Sequence, residues 1–254
     1  MKTYLALFDI LVFKSFIEEH TTEEIERRFE HVLRDSSRAL SNIWIDDPID
    51  AGRINPDLEY QKVHCLHISD TIIFWTDSDT DKDFMNLIDV SQRFYTNCLT
   101  TSLPVRGCIV HGDIKITPST MTNKNNNSFY NYSMYGKSYV EAHETAESLE
   151  ISACIIAQSA IDRAGEIFVN GIIKENFALM FRIPHKSGTD YCLSLKPKLY
   201  IENEAQFMNI VKGIKSNFAY LSNKKFKELP DSVKNKANNT IDLIKHSTQN
   251  ILKK

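Results

Sequence analysis

The chain has 254 residues, of which 42% are apolar and 25% charged, as in an ordinary globular protein. Its formal net charge of -3 shows no basic excess, so we expect neither nucleic acid nor a membrane as a partner. The apolar start is interrupted by Asp9, and no run approaches the roughly 18 apolar residues of a membrane span. These features predict a cytoplasmic protein.

The first half of the chain alternates strand and helix patterns. An apolar run over 3–13 is typical of a central strand, and a threonine cap followed by glutamates predicts a helix from 21 to about 42. Two β-rich runs within 60–76 meet at the polar pair Ser69-Asp70, which indicates a hairpin.

The second half continues the alternation. Asp81 begins a helix that Pro104 ends, and the later predicted elements are a strand over 105–116, a helix over 139–149, and strands over 151–156 and 187–200. The Asn-rich tract over 117–134 is low in complexity and predicts a mobile surface loop.

The element order is β-α-β-β-α-β, which predicts an α+β, ferredoxin-like split βαβ fold: an antiparallel sheet with helices on one face. We expect one catalytic domain over 1–200. A helical, Lys-rich C-terminal extension over 201–254 is expected to pack on that same domain.

Two aspartates are the first candidate site residues. Asp9 lies inside an apolar run, where an ionised carboxylate needs a partner. In a split βαβ fold the first strand neighbours the hairpin, so Asp70 at the hairpin turn can face Asp9. Two such carboxylates repel unless a divalent cation lies between them, and oxygen ligands suit Mg²⁺ or Mn²⁺. The alternative for Asp70 is an ordinary turn residue.

Four segments resemble class III nucleotide cyclases, in the order found in that family. FDILVF at 8–13 and HISDTIIFW at 67–75 are similar to its two metal motifs, RGCIVHGDI at 106–114 to its Arg-Gly…Gly strand, and YGKSYVEAHETAESLE at 135–150 to the Gly-anchored helix that follows. Their combination most resembles the pyrimidine cyclases of bacterial Pycsar antiphage defence.

The resemblance implies a reaction and its partners. The enzyme would convert UTP or CTP to 3′,5′-cyclic UMP or cyclic CMP plus pyrophosphate, with two Mn²⁺ or Mg²⁺ ions held by Asp9, Asp70 and the carbonyl of Ile10. It would act as a homodimer with its sites at the subunit interface, Glu141 coming from the second subunit. Its product would activate a separately encoded effector.

Substrate contacts are expected around the metal motifs. Backbone N–H groups over 11–15, including that of Phe13, are placed to bind phosphate ahead of a helix. Lys14 either adds a point charge there or is an ordinary solvated lysine. Arg106 either neutralises phosphate or makes a strand-end salt bridge. Tyr60 is a candidate for stacking on a pyrimidine base.

The sequence also departs from the family pattern. Val12 stands where the family has glycine, Glu141 where purine cyclases have a catalytic asparagine, and Thr145 where they have an arginine. These departures disfavour a purine cyclase, which stays open as an alternative, as does a catalytically degenerate, cyclase-like regulatory domain. His143 is interpreted as a structural or surface residue of the predicted helix, and Glu147 as part of its acidic surface.

Overall fold

The protein is described by a computed structural model that covers residues 2–46, 54–101 and 103–252. Its strands are β1 (Lys2–Ile10), β2 (Trp44–Asp46), β3 (Ile54–Pro56), β4 (His64–Ile68), β5 (Thr71–Trp75), β6 (Val105–Asp113), β7 (Lys115–Thr122), β8 (Ser128–Tyr135), β9 (Cys154–Ile156), β10 (Ala178–His185) and β11 (Gly188–Leu195). The helices are α1 (Phe13–Glu19), α2 (Thr22–Leu40), α3 (Asp81–Thr101), α4 (Lys137–Ser148), α5 (Gln158–Ala164), α6 (Glu166–Lys174), α7 (Glu204–Leu221) and α8 (Asp231–Leu252), with a short 3-10 turn at Phe226–Glu228.

Seven strands form the central sheet, in the order β10-β11-β9-β6-β1-β5-β4. All neighbours are antiparallel except β6 and β9, which run parallel. Strands β6, β1, β5 and β4, with the helices between them, form the predicted split βαβ unit, and β1 lies inside it. The predicted α+β fold with a mostly antiparallel sheet is confirmed.

Helices cover both faces of this sheet, which corrects the expectation of helices on one face. Side chains alternate along a strand, so Tyr4 and Phe8 of β1 lie in the core cluster that contains α3, while Leu5 and Leu7 lie with Ala142 of α4. Both clusters are fully buried around β1. Because α4 occupies the second face, it covers the side of the sheet to which odd-numbered residues of β1 point.

The Asn-rich tract forms a β-hairpin, so the prediction of a loop was wrong. β7 and β8 pair along eight positions, and the asparagines gather at the turn, where the Asn123 side chain accepts from the N–H groups of Asn125 and Asn127. Aromatic residues in the strands favour β structure, and Tyr132 packs against Trp75 of the main sheet.

The C-terminal helices pack on the rest of the chain. α7 contacts α1 and α3, and α8 contacts β10. Tyr220 of α7 lies against the rings of Phe16 and His20 at the end of α1, and Phe16 is completely buried. Asn217 of α7 donates to the carbonyl of Leu99 in α3 at 3.0 Å.

A helix that crosses a bilayer must be both long and apolar. Among the residues that the structure describes, no helix combines the length and the apolar character needed to cross a bilayer.

Candidate active site

Three side chains form a row at one end of the central strands. Asp9 of β1 pairs in register with Thr71 of β5 on one side and with Arg106 of β6 on the other. Residues that pair directly across antiparallel strands share a face of the sheet, so all three lie on the face that carries α4. The side chain of Asp9 is 20% exposed, so its carboxylate is accessible from solvent near the end of β1 and is not enclosed in the core.

The hairpin turn brings Asp70 to the same place. Ser69 adopts a left-handed conformation with φ 55°, and the N–H of Ile10 donates to the carbonyl of Asp70 at 3.0 Å. This bond fixes the turn to the end of β1. The side chain of Ile10 is buried on the opposite face, so only its backbone is available to a ligand at the Asp9 side.

The guanidinium of Arg106 forms hydrogen bonds with Asp9 and with the C-terminal end of α4. Its Nε donates to Oδ2 of Asp9 at 2.7 Å, and its Nη1 donates to the carbonyl of Glu147 at 2.6 Å and to that of Leu149 at 3.4 Å. The last turn of α4 and the residue after it thereby supply carbonyls that a helix terminus leaves unpaired. Arg106 therefore connects β1, β6 and the end of α4.

These residues line a cleft of about 330 Å³. Asp9, Asp70, Thr71 and Arg106 form one side, and His143 and Glu147 extend from α4 on the other. From the sequence, His143 is expected to be a structural or surface residue and Glu147 a surface residue, and neither is predicted to line a cleft. Their i, i+4 spacing predicts that they lie on the same face of the helix. It does not predict whether that face is turned toward the sheet or toward solvent.

The electrostatics of the cleft centre on Asp9. Burial raises the pKa of the Asp9 carboxyl above its ordinary value of 3.8, the charge and hydrogen bond of Arg106 oppose that rise, and Asp70 adds to it. Asp70 also lines the cleft, and its nearby negative charge favours the protonated form of Asp9, so the two carboxyl groups lie near each other. Two adjacent carboxyls that raise a pKa in this way form a place where positive charge is favoured.

A divalent cation fits this donor set. Both side chains offer oxygen only, which is the ligand that Mg²⁺ and Mn²⁺ prefer. In the described part of the chain, no third His, Cys, Asp or Glu joins them in a metal-ligating group. The remaining ligands would therefore be the carbonyl of Ile10, water and substrate oxygens, as is usual for cations that bind a phosphate substrate.

The turn after Asp9 has the conformation of a glycine although it carries valine. Val12 lies at φ 59° and ψ 24°, in the left-handed region that β-branched residues rarely adopt. The N–H of Leu11 donates to the carbonyl of Pro104 and is thus already used. The ring of Phe13 packs against Phe29, so only the backbone of Phe13 is placed to meet a ligand.

Lys14, Tyr60 and Glu141 do not join the aspartates in this chain. The side chain of Lys14 is 87% exposed and lies 3.7 Å from Glu18 on α1. Tyr60 precedes β4 and lines another cleft, beside α3. Glu141 accepts from the hydroxyl of Ser159 at 3.0 Å and lines a third cleft, with Thr145.

Comparisons with known proteins agree with this architecture at the level of the fold. No protein-family model matches the chain, and no curated protein matches its sequence. The crystal structure of the catalytic core of a rhodopsin-guanylyl cyclase with converted specificity, in complex with ATPαS, is similar with a TM-score of 0.50 and 9% identity, over 78% of this chain and 96% of that one. The guanylyl cyclase Cya2 aligns with a TM-score of 0.40 and 11% identity, over 77% and 91% of the two chains. The chain thus has the α+β fold of a class III cyclase catalytic domain.

Proposed function

We propose that this protein is a metal-dependent nucleotide cyclase that converts UTP or CTP to 3′,5′-cyclic UMP or cyclic CMP and pyrophosphate. One observation carries the proposal: Asp9 and Asp70, 61 positions apart in the chain, meet beside Arg106 in a cleft on a cyclase fold. The fold alone admits many functions, so the argument rests on the site.

The reaction is an intramolecular phosphoryl transfer. The 3′-oxygen of the ribose forms a bond to the α-phosphorus, the bond from that phosphorus to the β-phosphate oxygen breaks, and the 3′-hydroxyl proton leaves to water. Divalent cations bound in the cleft supply the charge that lowers the pKa of the 3′-hydroxyl and neutralises the leaving pyrophosphate.

The chain's own residues position the reactants. Asp9 and Asp70 would hold the cations, with the carbonyl of Ile10 as a further ligand. Arg106 lies next to them with its guanidinium already oriented, which suits it to bind phosphate oxygens. Backbone N–H groups of Phe13 and Lys14, in the first turn of α1, would contact the same phosphates, and preorganised donors of this kind stabilise developing charge without rearrangement.

Pyrimidine specificity and a role in antiphage defence are supported by the motif combination in the sequence. Glu141 and Thr145 replace the asparagine and arginine of purine cyclases, and the four motifs most resemble those of Pycsar enzymes. On this proposal the product is a second messenger made in the cytoplasm. A separately encoded effector binds it and halts the infected cell.

The active form is proposed to be a homodimer with a site at each subunit interface. Glu141 lines a cleft away from its own chain's aspartates, which is compatible with a role at the partner's site. A two-fold dimer would form two equivalent sites, each with the aspartates of one subunit and Glu141 of the other. Tyr60, also distant from Asp9 in its own chain, is proposed to contact the base in the same manner.

Product analysis tests the proposal. Purified protein is incubated with equimolar UTP, CTP, ATP and GTP and Mn²⁺, and the cyclic product is identified by mass while pyrophosphate release is counted. Asp9→Asn and Asp70→Asn are expected to lower turnover at least about a thousandfold, since each removes a cation ligand. Asp79→Asn is the matched control, because Asp79 makes an arginine pair with Arg163 at the opposite end of the sheet.

The outcomes separate the alternatives. Cyclic UMP or cyclic CMP as the main product supports the proposal, whereas cyclic AMP or GMP would make the enzyme a purine cyclase. No cyclic product from any triphosphate would support the degenerate regulatory domain. Unchanged turnover in both aspartate variants would remove the catalytic assignment.

A further inference from the structure

Arg106 is held more firmly than a surface arginine. Its three acceptors are Oδ2 of Asp9 and the carbonyls of Glu147 and Leu149, and its side chain is only 14% exposed. Two of these acceptors are backbone groups of the chain around the end of α4. Arg106 would therefore stay at the cleft even if its bond to Asp9 were broken.

This arrangement uses one of the two oxygens of Asp9. A second cation that shared both carboxylates with the first would need the second oxygen of Asp9 as a ligand. A cation on Oδ2 would lie next to the positive guanidinium that donates to the same atom at 2.7 Å, and like charges that close repel. A cation on Oδ1 of Asp9 would lie farther from the guanidinium and would feel less of that repulsion.

We propose that Arg106 is a positioning residue that restricts the cleft to one divalent cation until a triphosphate arrives. The inference rests on the proposed function, because it assumes that Asp9 and Asp70 bind cations. Phosphate oxygens are strong acceptors for a guanidinium, so an incoming triphosphate draws Nε away from Oδ2 while the α4 carbonyls keep Nη1 in place. The exchange moves hydrogen bonds only, and it opens Oδ2 to the second cation.

Mn²⁺ binding to the full chain without nucleotide tests this directly. Electron paramagnetic resonance at about pH 8, where carboxylates are ionised, counts the bound ions and detects an exchange-coupled pair about 3.5–4 Å apart. We expect one uncoupled Mn²⁺ per wild-type protomer and a coupled pair in Arg106→Met. Inorganic tripolyphosphate is expected to produce the coupled signal in the wild type. Asp9→Asn gives the background of unspecific binding.

Matched variants distinguish the effect of the Arg106 charge from a general effect on folding. Arg163→Met removes an arginine–aspartate pair elsewhere in the chain, where Nε of Arg163 in α5 lies 3.0 Å from Asp79 in the segment after β5, and it is expected to leave one uncoupled ion. Arg106→Gln is neutral but keeps an amide donor for the Glu147 carbonyl, so it should also bind a coupled pair. Arg106→Lys keeps the charge and should bind one ion.

Two results would overturn the inference while the cation site stands. These are a coupled pair in the nucleotide-free wild type, and a single uncoupled ion in both Arg106→Met and Arg106→Gln. If no variant and no wild-type protein binds Mn²⁺ above the Asp9→Asn background, the cation site itself is absent, and the proposed function fails with it.

Discussion

Replacing Gly107 by alanine would place a methyl group in a space that β1 already fills. A Cβ at Gly107 would lie 2.6 Å from Cδ1 of Phe8 and 2.7 Å from the carbonyl oxygen of Leu7. Carbon atoms pack at about 3.5 Å, so the two strands must separate by about 0.9 Å. The neighbouring register pair is Asp9 with Arg106, and it would move with them.

Strain of this kind in a packed core destabilises a protein by about 1–3 kcal/mol. For a chain of this size, about 2 kcal/mol lowers the melting temperature by about 4–8 °C. A displacement of about 1 Å at reacting groups can lower turnover about a hundredfold. We therefore expect Gly107→Ala to lose both stability and turnover.

Thermal unfolding and pyrophosphate release, measured on the same preparation, check both effects. Gly171→Ala is the matched control, because nothing lies within 4 Å of a Cβ at this position in α6. It should gain about 0.5–1 kcal/mol, since alanine favours a helix over glycine. A Gly107→Ala variant that melts within about 1 °C of the wild type with full turnover would refute the reasoning.

Three further predictions concern other residues. Gln92→Leu should lose about 2 kcal/mol in urea unfolding, because the buried Gln92 amide donates to backbone carbonyls at 2.7 and 3.1 Å, whereas the exposed Gln158→Leu should change little. Val12→Gly should be more stable than Val12→Ala by about 1 kcal/mol, because only glycine relieves the left-handed backbone; the reverse order would contradict the strain. Protons compete with Mn²⁺ for Asp9, so affinity measured by isothermal titration should fall about tenfold per pH unit below its raised pKa. Affinity that stays constant down to pH 3.8, the ordinary value for aspartate, would contradict this assignment.

The central strands and the two aspartates were predictable because they depend on local pattern. An aspartate inside a buried apolar run, such as Asp9, needs a partner that offsets the cost of burying its charge. The hairpin signal at Ser69-Asp70 then places Asp70 beside the first strand of a split βαβ fold. The pairing of Thr71, Asp9 and Arg106 follows from the strand order, which the fold class implies.

What the sequence left open depends on tertiary contacts. The periodicity of α4 does not show which face of the sheet the helix covers, so the sequence does not predict that His143 and Glu147 line the cleft. The segment 117–134 contains aromatic residues, which favour strands, but its many asparagines favour a loop, so the local pattern does not predict the hairpin. The β-branched side chain of Val12 disfavours a left-handed conformation, yet Val12 adopts one between β1 and α1.

The packing of Tyr220 on α1 makes the last fifty residues structurally relevant to the opposite end of the chain. Phe16 is sealed from water by this contact, and α1 begins directly after the turn that follows Asp9. A protein cut after residue 200 would leave Phe16 facing solvent and free the helix that borders the carboxylates. α7 therefore belongs to the same folded unit as β1 and α1, and its removal is expected to disturb the turn after Asp9.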